Sequence, residues 1–159
     1  MDFAVIVVSD RTFKGEREDK AVKALMELIS SEGWKCVFYT VVPDEVKEIK
    51  EAVLKAREKA RIVITCGGTG FGKKDFTPEA LEEILERKSY VLPAYIVFKT
   101  AQYKETAALS RSVCGTTGGA FVIAFPGSEK AVKEWWEVFK KMAPHLEELL
   151  SKDVVTCGG

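Results

Sequence analysis

Two periods of apolar positions alternate along this chain. Phe3 to Val8 is a nearly unbroken β-branched apolar run, as expected of a parallel strand covered on both faces, and Ser9 to Gly15 reads as the loop after it. From about Asp19 to Glu32, Val22, Leu25, Met26 and Ile29 recur at helical spacing, and Gly33 stands where a left-handed C-terminal cap is wanted. Cys36 to Val42 predicts a second strand, closed by Pro43-Asp44. Val46, Ile49, Val53 and Ala56 then form a helical stripe with Asp44 in place to be its N-cap. Arg61 to Thr65 predicts a third strand, followed by Cys66-Gly67-Gly68-Thr69-Gly70-Phe71-Gly72, too rich in glycine for an ordinary connection. Thr77-Pro78-Glu79 opens the next helix with a capping hydroxyl, a proline at the first helical position and an acid in the first turn.

In the second half, Val91-Leu92-Pro93 leads into a helix over Ala94 to Ala108, and Gly118-Gly119 introduces a strand from Ala120 to Phe125. Pro126-Gly127-Ser128 caps a last helix whose core face is Val132, Trp135, Phe139 and Met142, with a break at Pro144 before Leu146 to Leu150. Short apolar runs alternating with helical segments predict one α/β domain, a mostly parallel central sheet between two helical layers. The 159 residues suffice for one well-buried core, with no repeat and no linker. The expected domain is 1–152, with 153–159 as a loose tail.

Composition narrows the partners. Lys+Arg and Asp+Glu stand at 24 each, so no net basic field draws the chain onto nucleic acid. Cys36, Cys66, Cys114 and Cys157 are scattered and only His145 could join them, which argues against a zinc site or a disulfide framework. No apolar stretch approaches membrane-spanning length, and the amino terminus lacks the order of a secretory leader, so no membrane association and a cytoplasmic address are expected.

Three strand ends carry candidate chemistry: Ser9-Asp10-Arg11, the segment Gly67 to Asp75, and Pro126-Gly127-Ser128 before a helix. Ligands of open α/β sheets bind beyond the carboxyl ends of the strands, so these loops are placed to share one crevice. Glycines let backbone N–H groups approach an anion and a helix amino terminus adds a favourable dipole, which makes phosphate the natural ligand. Gly67, Gly72 and Lys73 satisfy part of a nucleotide-binding P-loop pattern, but Lys74 stands where the magnesium-binding hydroxyl belongs, and Lys73 also breaks the dinucleotide fingerprint begun by Gly68 and Gly70. By local sequence alone, Asp44 reads as an N-cap, Asp75 as a counter-charge to Lys73 and Lys74, Ser9 and Asp10 as turn residues, and Ser110-Arg111 as a helix end or a substrate-facing pair.

Thr65-Cys66-Gly67-Gly68-Thr69-Gly70-Phe71, then Asp75, then Thr77-Pro78-Glu79-Ala80 resembles the signature of the molybdopterin adenylyltransferases, their paralogues and the related domains of plant and animal cofactor-synthesis proteins. The likeness continues in order through Val8-Ser9-Asp10 with Gly15, Val42-Pro43-Asp44, Leu109-Ser110-Arg111 with Gly115, and Pro126-Gly127-Ser128, and covers most of the chain. The resemblance implies a molybdopterin-binding fold and transfer of AMP from ATP to the terminal phosphate of molybdopterin, in molybdenum or tungsten cofactor biosynthesis. It implies Asp44 and Asp75 as the catalytic, Mg2+-holding carboxylates, and Ser9, Asp10, Gly67, Gly68, Thr69, Gly70, Ser110, Arg111, Pro126, Gly127 and Ser128 as substrate-binding residues. It further implies a trimer, or a hexamer built from trimers, and a metal-insertion protein that receives the product. The supply of Trp34, Trp135 and Trp136, more than a small core is expected to bury, points the same way.

The chain departs from the family pattern at Lys20-Ala21, where Ser-Gly is common, and at Ala94, Val97 and Lys99, in place of a glycine, a glutamate and an arginine. These positions are expected near the crevice and bear on activity rather than fold. A pterin- or partner-binding module without turnover is therefore the competing reading, and an unrelated small NTPase the third.

Overall fold

The computed structural model describes residues 1–152. The predicted tail, with Cys157, lies outside the described residues. Six strands form one sheet in the order β2-β1-β3-β6-β5-β4. They are β1 (Asp2–Val8), β2 (Lys35–Val42), β3 (Ile62–Cys66), β4 (Arg87–Ser89), β5 (Cys114–Thr117) and β6 (Ala120–Phe125). The run β2-β1-β3-β6 is parallel, while β5 pairs antiparallel with both β6 and β4. The helices are α1 (Asp10–Phe13), α2 (Lys20–Ser31), α3 (Val46–Ala56), α4 (Thr77–Ile84), α5 (Val91–Ala101), α6 (Glu129–Phe139) and α7 (Ala143–Ser151), with a 3-10 turn at Glu105–Leu109.

The side-chain alternation of β1 divides the core into two layers. Phe3, Val5 and Val7 pack with Ile62 and Ile64 against Leu25 and Ile29 of α2, Ile96 of α5 and Trp136 and Phe139 of α6. Ala4, Ile6 and Val8 pack on the other face with Ile49 and Val53 of α3 and Leu81 of α4. The sheet is thus covered on both sides, as the apolar run at Phe3 to Val8 requires. The chain leaves β1 for β2 on one side and returns to β3 on the other, so the strand order reverses between β1 and β3, the place where such sheets open a crevice.

Several expectations are corrected. The loop after β1 contains the one-turn helix α1, whose N-cap is Ser9, its Oγ accepting from the Thr12 N–H at 3.3 Å. Asp44 is not the cap of α3, since Glu45 holds that place with no side-chain hydrogen bond. Thr77 does not cap α4 either; its hydroxyl turns back to donate to the Gly67 carbonyl at 2.8 Å. The helix read over Ala94 to Ala108 starts earlier, at Val91, because Pro93 fits within its first turn, where a missing N–H costs nothing, and it ends at Ala101. β4 and β5 carry no alternating apolar signal: Arg87-Lys88-Ser89 is a polar edge and Cys114-Gly115-Thr116-Thr117 a short strand paired beside it.

The tryptophans are absorbed within one chain. Trp135 and Trp136 are 2% and 0% exposed and supply no surplus for a subunit contact, while the partly buried Trp34 stacks on Phe3 with ring centroids 5.6 Å apart. The large exposed apolar side chains instead include Tyr90, just before α5, and Val91, Tyr95 and Phe98 on it.

Candidate functional site

The glycine-rich loop departs from β3 against the end of β1. Gly67 donates its N–H to the Phe125 carbonyl at 3.1 Å and has φ +107°, and a side chain there would lie 2.5 Å from the Val8 carbonyl oxygen. Gly68 has φ +70°, and a Cβ would meet the Thr77 hydroxyl at 2.5 Å. Both positions demand glycine through dihedral and space together. The Thr77 N–H donates to the Gly68 carbonyl at 3.1 Å, so α4 grips the loop with both its hydroxyl and its backbone. With these carbonyls turned inward, the N–H groups of Gly68, Thr69 and Gly70 have no acceptor among the described residues.

Arg111 holds the loop from behind. Its backbone N–H donates to the Thr69 carbonyl at 2.8 Å, Nε to the Gly70 carbonyl at 2.7 Å and Nη2 to the Asp75 carbonyl at 2.8 Å. Nη1 pairs with Glu79 at 2.6 Å, and the guanidinium lies over the Phe71 ring. These contacts make Arg111 a clamp on the loop's backbone. Ser110 turns its hydroxyl to the Ser112 N–H. Gly72 donates to Asp75 Oδ2 at 2.8 Å, which closes the far end of the loop over an acid.

Asp44 follows β2 and meets the end of β1. The Asp10 N–H donates to Asp44 Oδ2 at 2.9 Å, the Asp44 N–H donates to Asp10 Oδ1 at 2.9 Å, and Lys74 donates to Asp10 Oδ2 at 2.8 Å. The Lys74 hydrogen bond, with help from the Asp44 N–H, holds the Asp10 carboxyl below the ordinary carboxylate range. Burial pushes the Asp44 carboxyl up; the Asp10 N–H opposes the rise, and the charges of Asp10 and Asp75 add to it. That Lys74 engages Asp10, and that α4 begins only at Thr77, excludes a P-loop, in which the helix opens at the lysine.

One cleft of about 340 Å³ brings these strand ends together. Its lining includes Ser9, Asp44, Gly67, Gly68, Asp75, Gly127 and Ser128 of the predicted site. A neighbouring cleft of about 400 Å³ shares Gly127 and Ser128 and adds Lys20 and Ala21. Ser128 is the N-cap of α6, its Oγ accepting from the Ala131 N–H at 3.2 Å, so the positive end of that helix faces both spaces. Asp10, Thr69, Gly70, Ser110, Arg111 and Pro126 lie outside the linings; of these, Asp10 and Arg111 hydrogen-bond to the segments that form them. Of the departures, Lys20 and Ala21 border the site, whereas Ala94 and Val97 line neither cleft; Val97 packs on the core and Lys99 lies over the Tyr95 ring.

Arg17 and Asp19 line both clefts and escape sequence reasoning, because they lie beyond the loop predicted after β1. Asp19 is the N-cap of α2, accepting from the Val22 N–H at 2.9 Å, and that role was the available signal. A further depression of about 350 Å³, lined by Arg57, Arg61 and Glu147, lies at the amino ends of the strands, and there Arg61 is already paired with Glu147 at 3.0 Å.

In the main cleft the carboxylates Asp19, Asp44 and Asp75 face one guanidinium, Arg17. A phosphate ligand entering such a space needs a cation beside it. Asp44 Oδ1 and Asp75 Oδ1 accept no hydrogen bond among the described residues, and two hard oxygens suit Mg2+, which keeps several waters and shares phosphate oxygens. Among the described residues, no group of three or more His, Cys, Asp or Glu side chains is arranged to hold a metal ion.

A profile of the family described as the probable molybdopterin binding domain matches residues 4–148. The chain belongs to that family. It is 35% identical over 152 residues to a protein of Pyrococcus furiosus named molybdopterin adenylyltransferase, covering 91% of this chain and 88% of the relative. It is 36% identical over 155 residues to the molybdenum cofactor synthesis protein cinnamon of Drosophila melanogaster, covering 96% of this chain and only 26% of that longer protein. The crystal structure of the molybdopterin biosynthesis enzyme MoaB from Thermus thermophilus superimposes with a TM-score of 0.86 at 33% identity, over 94% of this chain and 96% of that one. The six-stranded, mostly parallel sheet and its two helical layers are therefore the architecture of this family.

Proposed function

We propose that this chain is a molybdopterin adenylyltransferase of molybdenum or tungsten cofactor biosynthesis, which transfers AMP from ATP to the terminal phosphate of molybdopterin. The observation that carries the reading is the convergence, on one cleft, of Asp44, Asp75, the Gly67-Gly68 backbone and the α6 amino terminus. A relative named for this activity and matched over 88% of its length supports it. In the reaction, an oxygen of the pterin phosphate attacks the α-phosphorus of ATP. One P–O bond forms as the bond to the β-phosphate oxygen breaks, and the electron pair leaves with pyrophosphate.

The Gly68 N–H, in the cleft lining and without an acceptor among the described residues, holds the pterin phosphate, and the rigid loop fixes its oxygen for in-line approach. Arg17 and the amino terminus of α6 take the charge of the nucleotide phosphates. Asp44 and Asp75 would hold Mg2+, which supplies charge neutralisation for the phosphates. The protein acts in the cytoplasm as a homo-oligomer, a trimer or a hexamer built from two trimers, and hands its product to a metal-insertion protein. The exposed apolar face of α5 is the surface such an oligomer would bury.

Incubation with ATP, Mg2+ and molybdopterin, followed by mass spectrometry, tests the reading: the adenylylated pterin is expected. Pterin binding without that product would overturn it in favour of a binding module, to which the substitution of Lys20-Ala21 beside the site lends its weight. The chain spans about a quarter of the cinnamon protein, so this reading concerns the adenylyl-transfer step alone.

A further inference from the structure

We propose that Asp10 is a positioning residue: it sets which oxygen of Asp44 faces the cleft and does not itself bind substrate. The inference rests on the reading of Asp44 as a cation-holding carboxylate. Asp10 and Asp44 bond each other twice, backbone N–H to carboxylate in both directions, each at 2.9 Å. The pair continues the β1–β2 ladder past its last backbone bond, from the Ser9 N–H to the Val42 carbonyl at 3.0 Å. Asp44 stands between β2 and α3 with no capping role, so the pair with Asp10 is the restraint on its side chain that the structure shows. The Asp10 N–H occupies Asp44 Oδ2, which leaves Oδ1 as the oxygen turned to a ligand.

Asp10 has no corresponding freedom. Oδ1 accepts from Asp44 and Oδ2 from Lys74, and Asp10 is not part of the cleft lining. Through Lys74 the same carboxylate tethers the far end of the glycine-rich loop, where Asp75 sits. One side chain therefore touches the β1 end, the β2 end and the glycine-rich loop, and it is Asp44 that it restrains from both sides. The Lys74 contact is exposed and contributes little by itself, whereas the reciprocal pair with Asp44 depends on the shape and length of the Asp10 side chain.

This assignment separates shape from charge. Asp10→Asn keeps an oxygen for the Asp44 N–H and loses the charge; Asp10→Glu keeps the charge and displaces the oxygen by a methylene. Mn2+ affinity, read by electron paramagnetic resonance in the presence of α,β-methylene-ATP, is the measurement, with circular dichroism to show that both variants are folded. The expected result is that Asp10→Asn binds Mn2+ within about threefold of the unsubstituted protein and Asp10→Glu at least about tenfold more weakly, with product formation in the same order and the KM for molybdopterin little changed. The opposite order, or no effect of either substitution, would overturn the proposal, as would a rise in pterin KM with Asp10→Asn. Asp44→Asn serves as the control: if it retains Mn2+ affinity, the reading of Asp44 fails, and if it loses affinity while Asp10→Glu does not, only the positioning role fails.

Discussion

At the residue scale the two aspartates beside β1 are driven apart by their surroundings. Lys74 lowers Asp10, and burial raises Asp44. A depressed carboxyl contributes stability at neutral pH that is lost as the pH falls through its folded value; a raised one imposes a cost at neutral pH that is relieved on acidification. Carboxyl titration of the metal-free protein by 13C NMR should therefore find Asp10 below and Asp44 above the ordinary value, and Lys74→Met should move Asp10 upward. The same scale carries the test of the mechanism. Asp75→Asn keeps the acceptor for the Gly72 N–H while removing the charge, so product formation should fall about 100-fold or more with pterin binding intact. Asp44→Asn should behave alike, since an amide oxygen can still accept from the Asp10 N–H. Wild-type turnover in both variants would reduce the carboxylates to structural parts.

At the scale of elements, the glycine-rich loop owes its shape to β1, α4 and Arg111 as much as to its own residues. Gly68 cannot be exchanged for a bulky residue as a clean probe of phosphate binding, because any side chain there strikes Thr77. Gly68→Ala should already lower the melting temperature by about 5 °C, from a positive φ costing about 1–2 kcal/mol in a domain of this size. Thr77→Val leaves the Gly67 carbonyl short of a buried donor and should cost about 1–3 kcal/mol by denaturant unfolding. A Thr77→Val protein as stable as wild type would show that the hydroxyl is not what fixes the loop.

At the scale of the whole molecule, the described chain leaves one helix facing outward with apolar side chains. Phe98 is 79% exposed and Val91 78% on α5. If this surface is covered by other copies of the chain, Phe98→Glu should convert the oligomer to monomer in light scattering while leaving the monomer's circular dichroism unchanged. A monomeric unsubstituted protein would remove the need for any such interface. Among the described residues no helix is long and apolar enough to cross a membrane, so a lipid-spanning role for α5 does not compete.

The strands with two covered faces, the helices with an apolar stripe and the three strand-end loops were legible in the chain because their periods and glycines are local properties of Phe3–Val8, Val46–Ala56 and Gly67–Gly72. The likeness of the Gly67–Ala80 segment and of Val42-Pro43-Asp44 to the molybdopterin adenylyltransferases was legible for the same reason. What tertiary structure decided is which partner each polar group finds. Asp44 looked like a cap and instead exchanges hydrogen bonds with Asp10, 34 positions away, Thr77 looked like a cap and holds Gly67, and Arg111, which read as a helix end or a substrate-facing residue, clamps the loop. β4 and β5 likewise exist because their neighbours supply backbone partners, not because Arg87-Lys88-Ser89 or Cys114-Gly115-Thr116-Thr117 prefers a strand. Hydrophobic period is written along the chain and read a few residues at a time, whereas a hydrogen-bond partner is set by which strand lies alongside, and that is fixed only when the sheet closes around its core.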